Sequence, residues 1–207
     1  MKAVFEYSHL GGSEILAARY PEIDAAIDEA IIAIGNDFRT FKSGEGGRRS
    51  QGLLYAPKAI NAAFREQFSA RGFKELKRYF DIEVPGWTKL PARGFKQIDF
   101  ARDRVLVEVQ LGKYFAMFYD MGKLEYFYRQ NLADVGVEIV PSHLLQAQMS
   151  SGVGRGEMLL VDMIALQRSF PTFPVKIILI EPDDLEAGSD ASGLVFEGDE
   201  DSGEVDD

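Results

Sequence analysis

The 207-residue sequence contains no cysteine, which excludes a disulfide framework and any thiolate metal site, zinc fingers included. Histidine is nearly absent too. His9 and His143 are the only two, too few for a histidine-rich metal centre and poor ground for a Ser-His-Asp triad. No apolar run approaches the ~18 residues that would span a bilayer. The first residues lack the basic stretch and apolar segment of a secretory leader. The expectation is a soluble, cytoplasmic protein with no membrane partner. Any catalysis must rest on carboxylates, amides, hydroxyls and basic groups.

Basic charge also looks short, since the formal net charge is −10. The deficit is local. Twelve of the 33 acids lie from Glu181 onward, where there is no Lys or Arg, leaving 21 acids against 23 bases in the rest. The body is thus slightly basic and compatible with nucleic acid. Residues 183–207, rich in Asp, Glu, Gly and Ser, carry too little apolar content to fold and read as a disordered acidic tail. The body, residues 1–182, has the length and apolar content of one domain.

Periodicity gives the body a mixed α/β pattern. Residues 2–7 read as a strand, and Ser13 is placed to cap a short helix that stops before Pro21. Residues 22–34 repeat Ile23, Ala26, Ile27, Ala30, Ile31 and Ile34 at helical spacing, closed by Gly35. Residues 36–52 combine Gly44, Gly46 and Gly47 with Arg39, Lys42, Arg48 and Arg49, a basic loop that either tracks phosphates or is merely solvated. Pro57 and Gly72 bracket a helix, with residues 73–78 prolonging it as a second piece. Residues 114–132 read as a helix whose Phe115, Phe118, Tyr119, Leu124, Phe127 and Tyr128 serve the core. Residues 135–140 and 175–180 are short apolar runs typical of buried strands, with a helix at 157–168 between them. Strand, helix, strand implies a parallel crossover. The sheet should therefore be mixed.

The densest chemistry lies at Ile98-Asp99-Phe100, a four-residue charged break, and Val105-Leu106-Val107-Glu108-Val109-Gln110-Leu111-Gly112-Lys113-Tyr114. Alternation puts Glu108 and Gln110 on one face and Val107, Val109 and Leu111 on the other. In an antiparallel hairpin Asp99 would come near the same end. Two carboxylates with an amide beside them suit a hard divalent cation such as Mg²⁺. The bland alternative is a solvent-facing amphipathic hairpin.

Asp99, eight intervening residues, then Glu108-Val109-Gln110 resembles the core motif of PD-(D/E)XK nucleases. With Gln in the third position and Leu111-Gly112-Lys113-Tyr114 following, it is similar to the BglII and BstYI type of restriction endonuclease. Val4-Phe5-Glu6-Tyr7-Ser8-His9-Leu10, Gln51-Gly52-Leu53-Leu54-Tyr55-Ala56-Pro57, Asp134-Val135-Gly136-Val137-Glu138-Ile139-Val140-Pro141 and Met149-Ser150-Ser151-Gly152 resemble segments of those enzymes in the same order.

The resemblance implies a restriction-endonuclease-like core: a central mixed sheet flanked by helices, with a β-hairpin carrying the active site. It implies a type II restriction endonuclease hydrolysing both strands of a short palindrome, probed first at sites with a central GATC, and leaving a 5′-phosphate and a 3′-hydroxyl. Asp99, Glu108 and the Val109 main-chain carbonyl would hold Mg²⁺, while Gln110 orients water. Glu75, on a helix before the hairpin, is the candidate supporting acid.

For base contact the resemblance points to Lys113, Ser150 and Ser151, against a phosphate contact for the lysine and a cap or turn for the serines. Arg155 would touch backbone or base. A palindrome implies a homodimer, and host protection implies a cognate DNA methyltransferase as genetic partner. The alternatives are a structure-selective repair or resolvase nuclease of the same superfamily and a non-catalytic DNA-binding protein.

Overall fold

The computed structural model describes residues 1–41, 53–87 and 93–183. Its centre is three strands, β6 (Val105–Val109), β7 (Val135–Pro141) and β8 (Val175–Glu181), paired in parallel and buried almost throughout. Continuous Val and Ile runs suit strands covered on both faces. Antiparallel strands extend the sheet on either side. β1 (Lys2–His9) lies against β8, β5 (Gly94–Arg102) against β6, and β4 (Lys74–Phe80) at the far edge against β5. The resulting order is β1-β8-β7-β6-β5-β4. The mixed sheet is the one expected, and a small second sheet pairs β2 (Arg39–Phe41) with β3 (Leu53–Tyr55).

Strand alternation divides the core between two layers. Val105, Val107, Val109, Val135, Val137 and Ile139 face α1 (Gly12–Arg19), α2 (Pro21–Ile32), α3 (Pro57–Ala70) and α5 (His143–Ala147), whose Leu16, Ile27, Phe64 and Leu145 complete that layer. Leu106, Val140, Ile177 and Leu179 face α4 (Tyr114–Arg129) and α6 (Gly156–Leu166) with Met117, Met121, Leu124, Leu159 and Met163. Prolines open α2 and α3, where the missing N–H has no intrahelical partner to lose. Truncating any of these buried residues to alanine would cost about 2–5 kcal/mol.

Several expectations are corrected. Residues 74–80 form β4 and not a second helical piece. Gly72, at φ +83°, ends α3, and the alternation of Glu75, Lys77 and Tyr79 then pairs with β5. The hairpin turn is Asp103-Arg104 alone, because Arg102 already pairs with Val105 and Asp103 takes the left-handed conformation (φ +53°) that short hairpins require. Ser13 is no cap. Gly11 holds the N-cap position of α1, and the Ser13 N–H donates to the Ser8 hydroxyl at 3.2 Å. Residues 39–41, read as loop, form β2.

Of the α4 residues assigned to the core, Leu124 and Phe127 are buried and Phe118 partly so, but Phe115, Tyr119 and Tyr128 are exposed. Met117, Asp120 and Met121 complete the buried stripe. Residues 42–52, with Arg48 and Arg49, and the tail from 184 lie outside the described residues. Asp183, counted above with the tail, pairs with the Met1 amino group at 3.0 Å.

Candidate active site

The candidate site forms where β6 ends against α4. Glu108 is the penultimate residue of β6 and its side chain is buried on the α4 face. Gln110 follows just beyond the strand, still fixed by its N–H donating to the Ile139 carbonyl at 2.9 Å. Asp120 sits in the buried stripe of α4, a position flanked by Met117, Met121 and Leu124. It accepts a 2.6 Å hydrogen bond from Gln110 Nε2, while Gln110 Oε1 accepts the Gly112 N–H at 3.0 Å. Lys123, one turn on, places Nζ 2.8 Å from both Glu108 Oε1 and Asp120 Oδ1. Glu138 of β7 is the register partner of Glu108 and fully buried. Among the described residues neither of its carboxyl oxygens has a hydrogen-bond partner.

Burial sets the electrostatics. Desolvation pushes the Glu108 carboxyl up to about 9 despite the adjacent Lys123 ammonium, with the charges of Asp99 and Asp120 adding to the rise. Burial raises Asp120 as well, and raises Glu138 well above the usual range, helped by Asp120 and Glu108. For Lys123 burial works against the charge, but Glu108 and Asp120 outweigh it and hold the ammonium protonated above the ordinary lysine range. One ammonium among Glu108, Asp120 and Glu138 cannot balance three buried negative charges, so protons are retained on the cluster at neutral pH.

Asp99 comes to the rim of this cluster through a β-bulge. β4 advances from Lys74 to Leu76 while β5 runs from Ala101 to Ile98, so Asp99 and Phe100 together oppose Glu75. Bulges re-aim side chains and often lie beside active sites. Here the β5–β6 ladder stops at Phe100–Val107, and Asp99, one residue beyond it, is near enough for its charge to raise the Glu108 carboxyl. It lines a cavity of about 140 Å³ with Arg65, Ser69, Phe73, Glu75 and Phe100. Glu75 is thus on a strand and not on a preceding helix. It accepts from Gln97 Nε2 at 2.8 Å and shares the cavity with Asp99.

The candidate DNA-reading residues lie on two segments that meet at Gly112, just beyond Gln110. Lys113 is exposed at the N-cap of α4, with Nζ 5.9 Å from the Phe115 ring centre. Ser150 and Ser151 lie in the loop before α6, which is tied to the catalytic strand by the Gly154 N–H donating to the Gly112 carbonyl at 2.7 Å. Gly154 is required there. A Cβ would come within 2.7 Å of the Tyr114 backbone. Arg155 is the N-cap of α6, with its guanidinium 3.8 Å from Met158 Sδ.

The model of the family described as restriction endonuclease BglII/BglIII matches residues 4–180. The chain belongs to the BglII/BglIII restriction endonuclease family. Two solved structures share its fold. Restriction endonuclease BglII complexed with a DNA 16-mer superposes with a TM-score of 0.65 at 19% identity, over 89% of this chain and 81% of that one. Free BglII gives 0.63 at 16% identity, over 88% and 81%. No curated protein sequence matches. The BglII-type family consists of type II site-specific deoxyribonucleases, enzymes that act on double-stranded DNA and generally use a divalent metal.

The site of this BglII-family chain fits such a metal by its donor chemistry. Its side chains offer oxygen, the ligand hard cations take, and the pair of unpartnered Glu138 oxygens shows that the pocket's polar groups are not satisfied by the protein alone. Among the described residues no three His, Asp or Glu side chains converge to hold a metal by themselves.

Asp120, Lys123 and Glu138 escaped the sequence reading. The first two were legible as an Asp-x-x-Lys pair (i, i+3) in which the acid falls on an apolar stripe. Glu138 was legible as an acid inside an otherwise apolar central strand.

Proposed function

We propose that this chain cleaves both strands of a short palindromic DNA site as a Mg²⁺-dependent homodimer. The observation that carries the reading is the buried Glu108 and half-buried Gln110 at the end of β6, with Asp99 near enough for its charge to act on Glu108, inside the BglII/BglIII family match. Asp99, Glu108 and the Val109 carbonyl would hold the cation. When bound, Mg²⁺ would supply positive charge to the scissile phosphate and acidify water for attack.

The protein's own groups divide the remaining work. Gln110 keeps one N–H and one oxygen lone pair free of the bonds to Asp120 and Gly112, enough to orient a water. As an amide it takes no proton from that water at neutral pH, so the proton leaves by another route. Lys123 occupies Glu108 Oε1 and must yield that oxygen for a cation to bind there. Lys113, Ser150 and Ser151 lie on segments joined by the Gly112–Gly154 bond and would read base edges, with Arg155 beside them at base or backbone. Arg48 and Arg49 would contact phosphates, and Glu75 would support Asp99 from across the bulge.

α6 supports the homodimer. Besides its buried face it exposes Met158, Val161, Ile164 and Leu166, and a helix apolar all round needs a second partner. Sites with a central GATC are the first to test, with 5′-phosphate and 3′-hydroxyl products. A methyltransferase protecting the same site and a cytoplasmic location complete the proposal.

Incubation of phage DNA with the protein and Mg²⁺ should give discrete fragments. Asp99→Ala and Glu108→Ala should abolish them while binding of the cognate duplex in Ca²⁺ persists. Cleavage near the wild-type rate by either variant would remove that residue from the mechanism. Smears or branch-specific products would overturn the restriction reading.

A further inference from the structure

We propose that Asp120 is a positioning residue for Gln110, its carboxylate fixing which end of the Gln110 amide faces the reacting phosphate. The proposal rests on the reading of Gln110 as the residue that orients water. Its physical basis is the direction of two hydrogen bonds. A backbone N–H only donates, so the 3.0 Å contact with Gly112 identifies the amide oxygen. A carboxylate accepts, so the 2.6 Å contact with Asp120 Oδ2 identifies the amide nitrogen.

The terminal torsion of a glutamine is broad and two-fold, and neither end of the amide is favoured without such partners. With both bonds made, one hydrogen and one lone pair are left, in fixed directions. Asp120 is itself oriented, because Lys123 Nζ lies 2.8 Å from its other oxygen and 2.8 Å from Glu108. The strap from α4 thus holds both polar side chains of the strand end. Packing does not account for the acid. The neighbouring stripe positions are Met117, Met121 and Leu124, and an apolar residue at 120 would fill the same layer without the desolvation that a buried carboxyl suffers.

The test is a double-variant cycle on single-turnover cleavage, joined to a spectroscopic measurement on metal-free protein. Asp120→Ala should slow cleavage about 10–100-fold, the usual effect of losing a group that orients a ligand or catalytic residue. The Asp120→Ala, Gln110→Ala pair should be no slower than Gln110→Ala alone. Asp120→Asn, which keeps an acceptor oxygen, should recover part of the loss. Asp120→Leu replaces the alanine variant if the latter does not fold.

In metal-free protein the Gln110 side-chain NH₂ signals, assigned by their loss in Gln110→Ala, should be widely separated in the wild type and collapse together in Asp120→Ala. Losses that multiply in the double variant, or amide signals unmoved by Asp120→Ala, would overturn the proposal. A wild-type protein that cuts no DNA would overturn the endonuclease reading alone, because the amide signals report on Asp120 without any cleavage.

Discussion

At the scale of single residues, the buried carboxyls make stability depend on pH in an unusual direction. Glu108 and Glu138 retain protons in the folded state that the unfolded chain releases above its ordinary carboxylate range. Between there and about 9, the value for Glu108, the folded state binds more protons, so raising the pH costs stability. Each retained proton is worth about 1.4 kcal/mol per pH unit. Urea unfolding in EDTA at pH 5.5, 7 and 8.5 should show a steady decline, and Glu138→Gln, a neutral near-isostere, should flatten it. A stability that holds level or rises across this window would contradict the protonated cluster.

Asp99, Glu108 and Gln110 were candidates from the sequence alone because motif spacing is read in order along the chain. Asp120 and Lys123 were not, because they reach the site from a helix whose relation to the strand only packing defines.

At the scale of elements, the site depends on two places where backbone meets backbone. The bulge in β5 sets Asp99 opposite Glu75 in a shared cavity, and the loop before α6 rests on Gly112–Tyr114 through Gly154. Gly154→Ala should force that loop off the catalytic strand. The cost should be about 1–3 kcal/mol of stability, typical of overpacking, with cognate DNA affinity in Ca²⁺ falling further than affinity for unrelated DNA. Titrating both duplexes with the variant checks this, and equal losses on the two would separate the loop from base reading.

The central strands followed from their apolar runs, α2 from its helical spacing, and α3 from the Pro57 and Gly72 that bracket it. β4 did not, since Glu75, Lys77 and Tyr79 on an exposed edge strand carry no apolar alternation, and pairing with β5 decides their state. The aromatics of α4 misled for the opposite reason. Phe115 and Tyr119 look like core by composition, yet the helix turns Met117 and Met121 inward instead.

At the scale of the whole molecule, the proposed palindromic site would call for two copies, and the apolar outer face of α6 would offer the surface. Val161 and Ile164 are 57% and 58% exposed, so a charge on either should leave the monomer folded. Val161→Glu and Ile164→Glu should shift sedimentation from dimer to monomer and abolish double-strand cuts. A variant that stays dimeric with both charges in place would assign the interface elsewhere. The position of such an interface on the sheet could not be read from the sequence, because α6 is apolar on both faces and nothing in its spacing distinguishes inner from outer.

The bond between Gly154 and Gly112 carries a further consequence for fidelity. Gly112 gives its carbonyl to the loop and its N–H to the Gln110 side chain, so one glycine links the segment proposed to meet the bases to the amide proposed to orient water. A loop seated badly on a mismatched site would shift that glycine and carry Gln110 with it. On the proposed reading a wrong sequence would then be held but not cut, and discrimination in cleavage rate would exceed discrimination in affinity.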